Sequence, residues 1–261
     1  IPDGVMRDVA VARYNDLQSV DELLRGRESD LAAIIVEPIV GNMGYVTPVQ
    51  GFLEGLRARA HRFGALLIFD EVITWLRIGL QGAQARVDVV PDVTTIGKIM
   101  GGGFPIAAFG GREDVMAVLA PQGATFTGGT HAGNPFSVGM AHRTLDLLEA
   151  HPEYYAYMDA LGKRLAGGIR AIFERRGLPY AVVQHESIVD FKFRAGPAGR
   201  NYDDALDADK EKYAAYYHEM RKRKILLPPS QNEVMFVSTA HTPADIDETL
   251  TAIDETFDIL T

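Results

Sequence analysis

Two apolar runs in this chain end in a charge: "LLIFD" closes on Asp70 and "VTTIGK" closes on Lys98. A carboxylate and a primary amine are the groups that proton transfer and covalent amine chemistry require. Each also has an ordinary reading. An Asp in that place caps a helix or joins a surface ion pair, and most lysines are simply solvated. Their joint placement argues for more, because the crevice of an open parallel sheet lies outside the carboxyl ends of its strands, where loops vary while the sheet stays rigid. The run "GGG" at 101–103 adds backbone that a ligand can approach closely. A buried carboxylate and an amine at such an edge suit a flat cationic cofactor.

Two phosphate-binding patterns fail. G-x-x-x-x-G-K would need Gly at position 92, where the chain has Asp, and no Ser or Thr follows Lys98. No G-x-G-x-x-G follows a strand-like run. The pairing that remains fits pyridoxal 5'-phosphate, which forms a Schiff base with a lysine and draws electrons into a ring whose nitrogen an acid keeps protonated. Asp70 would hold that proton. Lys98 would carry the aldehyde and then serve as the base. Val72 lies two residues past Asp70, on the same side of an extended chain; it packs against the ring face or is a plain core valine.

Elements that could position these groups are visible in the pattern. "LAAIIVEP" (31–38), "GALLIFDE" (64–71), "DVTTIG" (92–97) and "IAAFGG" (106–111) are short, nearly continuous apolar runs, as expected of strands covered on both faces. Between the first two, Phe52, Leu53, Leu56, Ala60 and Phe63 recur at helical spacing, closed by Gly64. Strand, helix, strand is the βαβ unit of a parallel sheet. A helix is expected from Asn134-Pro135 to Glu149, with Val138, Ala141, Leu145 and Leu148 on one face. A long amphipathic helix follows, carrying Met158, Leu161, Leu165, Ile169, Ile172 and Phe173 and ending at Gly177. Beyond it come "YAVVQHESIVDFKF", an exposed loop at 195–207, a helix over 208–223, a strand over 234–238 and a last helix. That helix starts with Thr242 as cap, Pro243 in the first turn and Asp245 three residues after the cap. The texture changes near 148–153, which places one domain over residues 1–150 and another over 151–261.

Longer stretches carry a family resemblance. "AAIIVEPIVGNMGYVTPVQGFLEGLRARAHRFGALLIFDEVITWLR", "PDVTTIGKIMGGGFPIAAFGGREDVM", "GGTHAGNP" and "LLPPSQNEVMFVSTAHTPADIDETL" together resemble the class III aminotransferases of fold type I, most of all their glutamate-1-semialdehyde aminomutase branch. The resemblance covers nearly the whole chain. It implies an α/β fold: a mostly parallel large domain that binds pyridoxal phosphate, incomplete at its N-terminus, and a smaller α+β C-terminal domain. It assigns Asp70 to the pyridine nitrogen, Lys98 to the Schiff base and Val72 to the ring face. Gly129 and Thr130 would supply a phosphate contact across a homodimer interface, and Glu233 matches an acid that the aminomutase branch keeps near its active site. The family normally begins with a long N-terminal portion bearing a Ser/Gly-Thr-Glu-Ala phosphate loop, an aromatic that stacks on the cofactor and the residues that read the substrate. None of these is found here, so the chain is expected to start partway through the large domain. Two departures bear on the substrate. Thr74-Trp75-Leu76-Arg77 stands where the family has T-G-F-R, so that Trp75 either packs in a loop or reshapes the pocket wall; "GGTHAGNP" places His131 where the aminomutase branch has Leu.

Composition excludes other classes. A net charge of -9 would repel phosphate backbones, and no basic cluster exceeds "RKRK" at 221–224, so nucleic acid is not an expected partner. The chain has no Cys and no apolar run long enough to span a bilayer; a cytoplasmic protein that does not enter membranes is expected. The seven histidines show no H-E-x-x-H or comparable ligand spacing, so no metal is expected. Three functions remain. The first is an aminotransferase that passes an amino group from a small-molecule donor to a carbonyl acceptor. The second is an aminomutase that moves the amine within one molecule, and the third is a non-catalytic piece serving assembly.

Overall fold

A computed structural model describes residues 1–260, and their contacts group into two units. The first comprises Ile1–Pro38, Pro48–Trp75 and Gln81–Thr144. The second takes in Ile39–Thr47, Leu76–Leu80 and the chain from Leu145 onward.

The first unit is built on strands β1 (Ala33–Val36), β2 (Leu66–Asp70), β3 (Val93–Ile96) and β4 (Ala108–Gly111), which lie side by side in that order. β1, β2 and β3 run parallel, with Ile35 beside Ile68 and Asp70 beside Thr95. The helices of this unit are α1 (Asp3–Arg7), α2 (Leu17–Leu24), α3 (Phe52–Arg62), α4 (Glu113–Met116) and α5 (Pro135–Ala150), whose last turns belong to the second unit. α3 connects β1 to β2 as the spacing requires, burying Phe52, Leu53, Leu56 and Ala60 against Leu67 and Phe69. Its end is closed by two backbone bonds, from the Gly64 amide to the His61 carbonyl at 3.3 Å and from the Ala65 amide to the Ala60 carbonyl at 2.9 Å. That is the Schellman arrangement the glycine signals.

β4 runs antiparallel to β3, so the sheet is mostly parallel, as the resemblance implies. One expectation fails in this sheet: the strands are not covered on both faces. Leu67 and Phe69 are fully buried, but on the other side Ile35 is 63% exposed and Phe109 48%. The alternation of β2, buried at 67 and 69 and half-buried at 66, 68 and 70, is that of a sheet packed on one side.

The second unit is an antiparallel sheet of β5 (Tyr180–His185), β6 (Ile188–Ala195) and β7 (Met235–Phe236) with helices α6 (Glu153–Arg176), α7 (Tyr202–Leu206), α8 (Lys210–Lys222) and α9 (Pro243–Leu260). α6 buries all six expected residues, from Met158 to Phe173, and ends on Gly177. α9 begins as its sequence requires: the Thr242 amide donates to the Asp245 carboxylate at 2.7 Å, and the Asp245 amide to the Thr242 hydroxyl at 3.3 Å. The core joins Phe173, Phe191, Phe193, Tyr216 and Phe257, whose rings meet mostly edge to face at 5.0–6.0 Å. The segment 195–207 is not wholly a loop. Asn201 accepts from the Asp204 amide and starts α7, which buries Ala205. The strand expected at 234–238 is only two residues long.

Candidate active site

Asp70 is the last residue of β2, and its register partner in β3 is Thr95. Lys98 follows Thr95 by three residues, so both groups leave the carboxyl ends of neighbouring strands. Lys98 opens the 3-10 turn that follows β3. Asp70 is half-buried and Lys98 exposed, so the expected buried carboxylate is in fact a rim group. Asp70 Oδ1 accepts from the Val72 amide at 3.0 Å and, more weakly, from Thr95 Oγ1 at 3.4 Å. Oδ2 accepts no hydrogen bond among the described residues.

Val72 is drawn to the same place. A Cβ added at Gly97 would touch Val72 Cγ1 at 3.6 Å, so the valine lies against the backbone that leads into Lys98. Lys98 itself has a φ of 48°, in the left-handed region that costs a non-glycine residue energy. The glycine run serves the turn that follows: Gly102 has a φ of 56°, and a Cβ there would sit 2.6 Å from Thr144 Oγ1. Its first use is thus backbone geometry.

The structure therefore brings Asp70, Val72 and Lys98 to one rim. Gly129, Thr130 and His131 are exposed on the turn that leads into α5. Asn134 closes that turn by accepting from the Phe136 and Ser137 amides at 3.0 and 3.3 Å. Trp75 is half-buried and donates its amide to the Glu71 carbonyl at 3.0 Å. Glu233 lies in the second unit, exposed on a turn ahead of β7, with its amide on the Ser230 carbonyl. Among the described residues, no group of three or more His, Cys, Asp or Glu side chains could hold a metal ion. No helix among them is long and apolar enough to cross a membrane.

Three acids escaped the sequence reading. Glu71, beside Asp70, is fully buried and accepts from Thr74, Ala83 and Gln84. Asp92, 1% exposed, ties three elements by accepting from Arg57, from Arg112 at 2.8 Å and from the Leu67 amide at 2.7 Å. Burial alone would raise its pKa, but these donors outweigh it and hold the carboxyl at about 2. In the second unit Asp190 accepts from Lys192 at 2.9 Å and from the Tyr45 amide at 3.2 Å, and burial pushes it up to about 6 against their opposing pull. The signal for the pair was the i, i+2 spacing of Asp190 and Lys192, which puts both on one side of β6.

Comparison with known proteins gives this geometry its context. The sequence model of the class-III aminotransferases matches residues 6–182. Glutamate-1-semialdehyde 2,1-aminomutase 1 of Staphylococcus carnosus is 40% identical over 261 residues, which is 100% of this chain and 60% of that protein. A transaminase solved with PLP bound superposes with a TM-score of 0.86 at 27% identity, over 99% of this chain and 59% of that one. A glutamate-1-semialdehyde aminomutase from Pseudomonas aeruginosa PAO1, solved with PMP, gives a TM-score of 0.83 at 26% identity, over 97% of this chain and 57% of that one. The chain thus spans about three fifths of the length of these relatives.

Proposed function

The chain belongs to the class-III aminotransferase family, with the α/β architecture of fold type I, and from that premise we propose that it works as part of a pyridoxal-phosphate-dependent aminotransferase. The observation that carries the reading is the parallel register of Asp70 on Thr95, which delivers an acid and a lysine to adjoining strand ends. The donor set suits the cofactor: a carboxylate with one unoccupied oxygen, an exposed primary amine, and an aliphatic side chain packed beside the backbone between them.

When bound, pyridoxal phosphate supplies a carbonyl that captures amines and a ring that withdraws electrons from the neighbouring carbon. Asp70, its carboxylate kept in place by the Val72 amide and Thr95 Oγ1, would hold a proton on the ring nitrogen through its charge. Lys98 Nζ would be the point of covalent attachment, and its amine, when free, would be the base that moves a proton. Val72 presents its methyls to the ring. Gly129 and Thr130 contribute backbone and hydroxyl groups to the phosphate of a second subunit's cofactor, and Glu233, His131 and Trp75 read the substrate. Residues 1–150 are the cofactor-binding part and 151–261 the smaller C-terminal part.

The working protein is a cytoplasmic homodimer in this reading. Support for the dimer comes from the exposed aromatic residues Phe126 and Phe136, 83% and 64% exposed, on either side of the Gly129–Thr130 turn. Support for the compartment comes from the absence of Cys.

A second reading, intramolecular transfer by an aminomutase, is favoured by the 40% identity to the Staphylococcus carnosus protein over this entire chain. One experiment separates the two. Substrate is given to the cofactor-loaded protein with no keto or aldehyde acceptor. An aminotransferase stops near one equivalent of product, whereas an aminomutase continues to turn over.

A further inference from the structure

A buried carboxylate without a cation is costly unless donors surround it. Glu71 is 0% exposed and its partners are all neutral: Thr74 Oγ1 at 2.9 Å and the Ala83 amide on Oε2, the Gln84 amide at 3.1 Å and Gln84 Nε2 at 2.9 Å on Oε1. The neighbouring backbone is shaped to permit this. Gly82 has a φ of 65°, and a Cβ on it would sit 2.2 Å from Glu71 Oε2 and 3.1 Å from Trp75 Cα. Only glycine lets the 82–84 segment come this near.

Glu71 is also tied to the rim through its own backbone. Its amide donates to the Thr95 carbonyl at 2.9 Å, and its carbonyl accepts from the Trp75 amide at 3.0 Å. The turn that results is the one that points the Val72 amide back at Asp70 Oδ1. We infer that Glu71 is a positioning residue: by clamping residues 71–75 to residues 82–84, its carboxylate fixes the orientation of Asp70 and the place of Trp75. The inference rests on the reading of Asp70 as the partner of the ring nitrogen, and it extends that reading to a group that touches no substrate.

The test is a four-way comparison of the wild-type holoenzyme, Glu71→Gln, Asp70→Asn and the double variant. An amide offers one acceptor oxygen to four donors and turns two N–H groups toward them, so the clamp loosens while the residue keeps its size. In Glu71→Gln the pH midpoint of the absorbance of the lysine-bound cofactor is expected to shift, and kcat to fall by about 10-fold. In the Asp70→Asn background the same change is expected to move the midpoint little and kcat by less than about 2-fold, because the group acted upon is already gone. No shift in Glu71→Gln, or an equal shift in both backgrounds, overturns the proposal and leaves Glu71 a staple of the fold. Gln84→Ala, which removes one side-chain donor and keeps the acid, is expected to move both readouts in the same direction by less. It carries the test under the same criteria if Glu71→Gln does not fold. Hydrogen exchange supplies a readout without cofactor: the Val72 amide is expected to exchange about 10-fold faster in either variant, and unchanged protection overturns the clamp. A wild-type protein that never takes up the cofactor would instead overturn the proposed function, with Val72 exchange still reporting on Glu71.

Discussion

The two sheets of this chain solve the problem of an apolar surface in different ways. In the second unit, α6, α8 and α9 close over β5–β7, and Phe173, Val189, Tyr216, Ile253 and Phe257 are all 0–2% exposed. In the first unit, α3 covers the side of the sheet that carries Leu67 and Phe69, and the opposite side is open at Ile35 and Phe109. Asp70 and Thr95 alternate onto that open side, in register with Phe109 and two residues along from Ile68. The closed sheet is a scaffold around an aromatic core. The open one carries at its edge an acid with one oxygen free of protein donors and an exposed amine, which suits the proposed site.

Removing the groups at the open edge is expected to have the largest effects. Lys98→Ala should abolish both turnover and the near-visible absorbance of the loaded protein, with the fold retained because the side chain is exposed. Asp70→Asn should keep the fold and slow turnover by roughly 10²- to 10⁴-fold, since an uncharged partner lets the ring nitrogen lose its proton. Near-normal turnover in that variant would erase the distinction between the two regions.

Stability should show the reverse contrast. Phe257→Ala empties the centre of the second unit and is expected to cost about 3–5 kcal/mol in denaturant unfolding. Ile35→Ala, on the open side, should change stability by less than about 0.5 kcal/mol. Equal costs would mean that the open side is covered in solution.

The buried acids sharpen the comparison further, with opposite signs. Asp92 has a pKa depressed to about 2, so its stabilisation is complete above the usual carboxylate value near 3.8 and is lost as pH falls from there toward 2. The full effect is about 2 kcal/mol, from a shift of roughly two units. Asp190 has a pKa raised to about 6, so the folded second unit holds its proton more tightly than the unfolded chain does; its contribution is lost as pH rises from about 4 to 6. Exchange of the Leu67 amide, which Asp92 holds, should quicken on acidification below pH 4. Exchange of the Tyr45 amide, which Asp190 holds, should change between pH 4 and 6, and Asp190→Asn should remove that dependence.

What could be read beforehand was local. The Schellman end of α3, the capping box of α9 and the buried stripe of α6 are each decided within a few residues, and they stand where spacing puts them. The charged ends of β2 and β3 were legible for the same reason, since an apolar run that stops in a charge marks its own edge. The direction of β4 was not, because "IAAFGG" carries no sign of which neighbour it joins or how. Glu71 was hidden by distance: its burial depends on donors at 83 and 84, which meet it only once the loop has folded back over Gly82. Asp190 was hidden further still, as the amide it accepts belongs to Tyr45. α7 left a cue in Asn201 and Asp204 that was outweighed by the Gly and Pro of the segment before it.

The account stands on Asp70 and Lys98 gripping one ring from neighbouring strands. Its most direct measurement is borohydride reduction of the protein after incubation with pyridoxal phosphate, followed by peptide mapping. The account predicts one stoichiometric mass increase, on the peptide that contains Lys98, and its loss in Lys98→Ala. A label spread over several lysines, concentrated on another one such as Lys192, or absent altogether would contradict it.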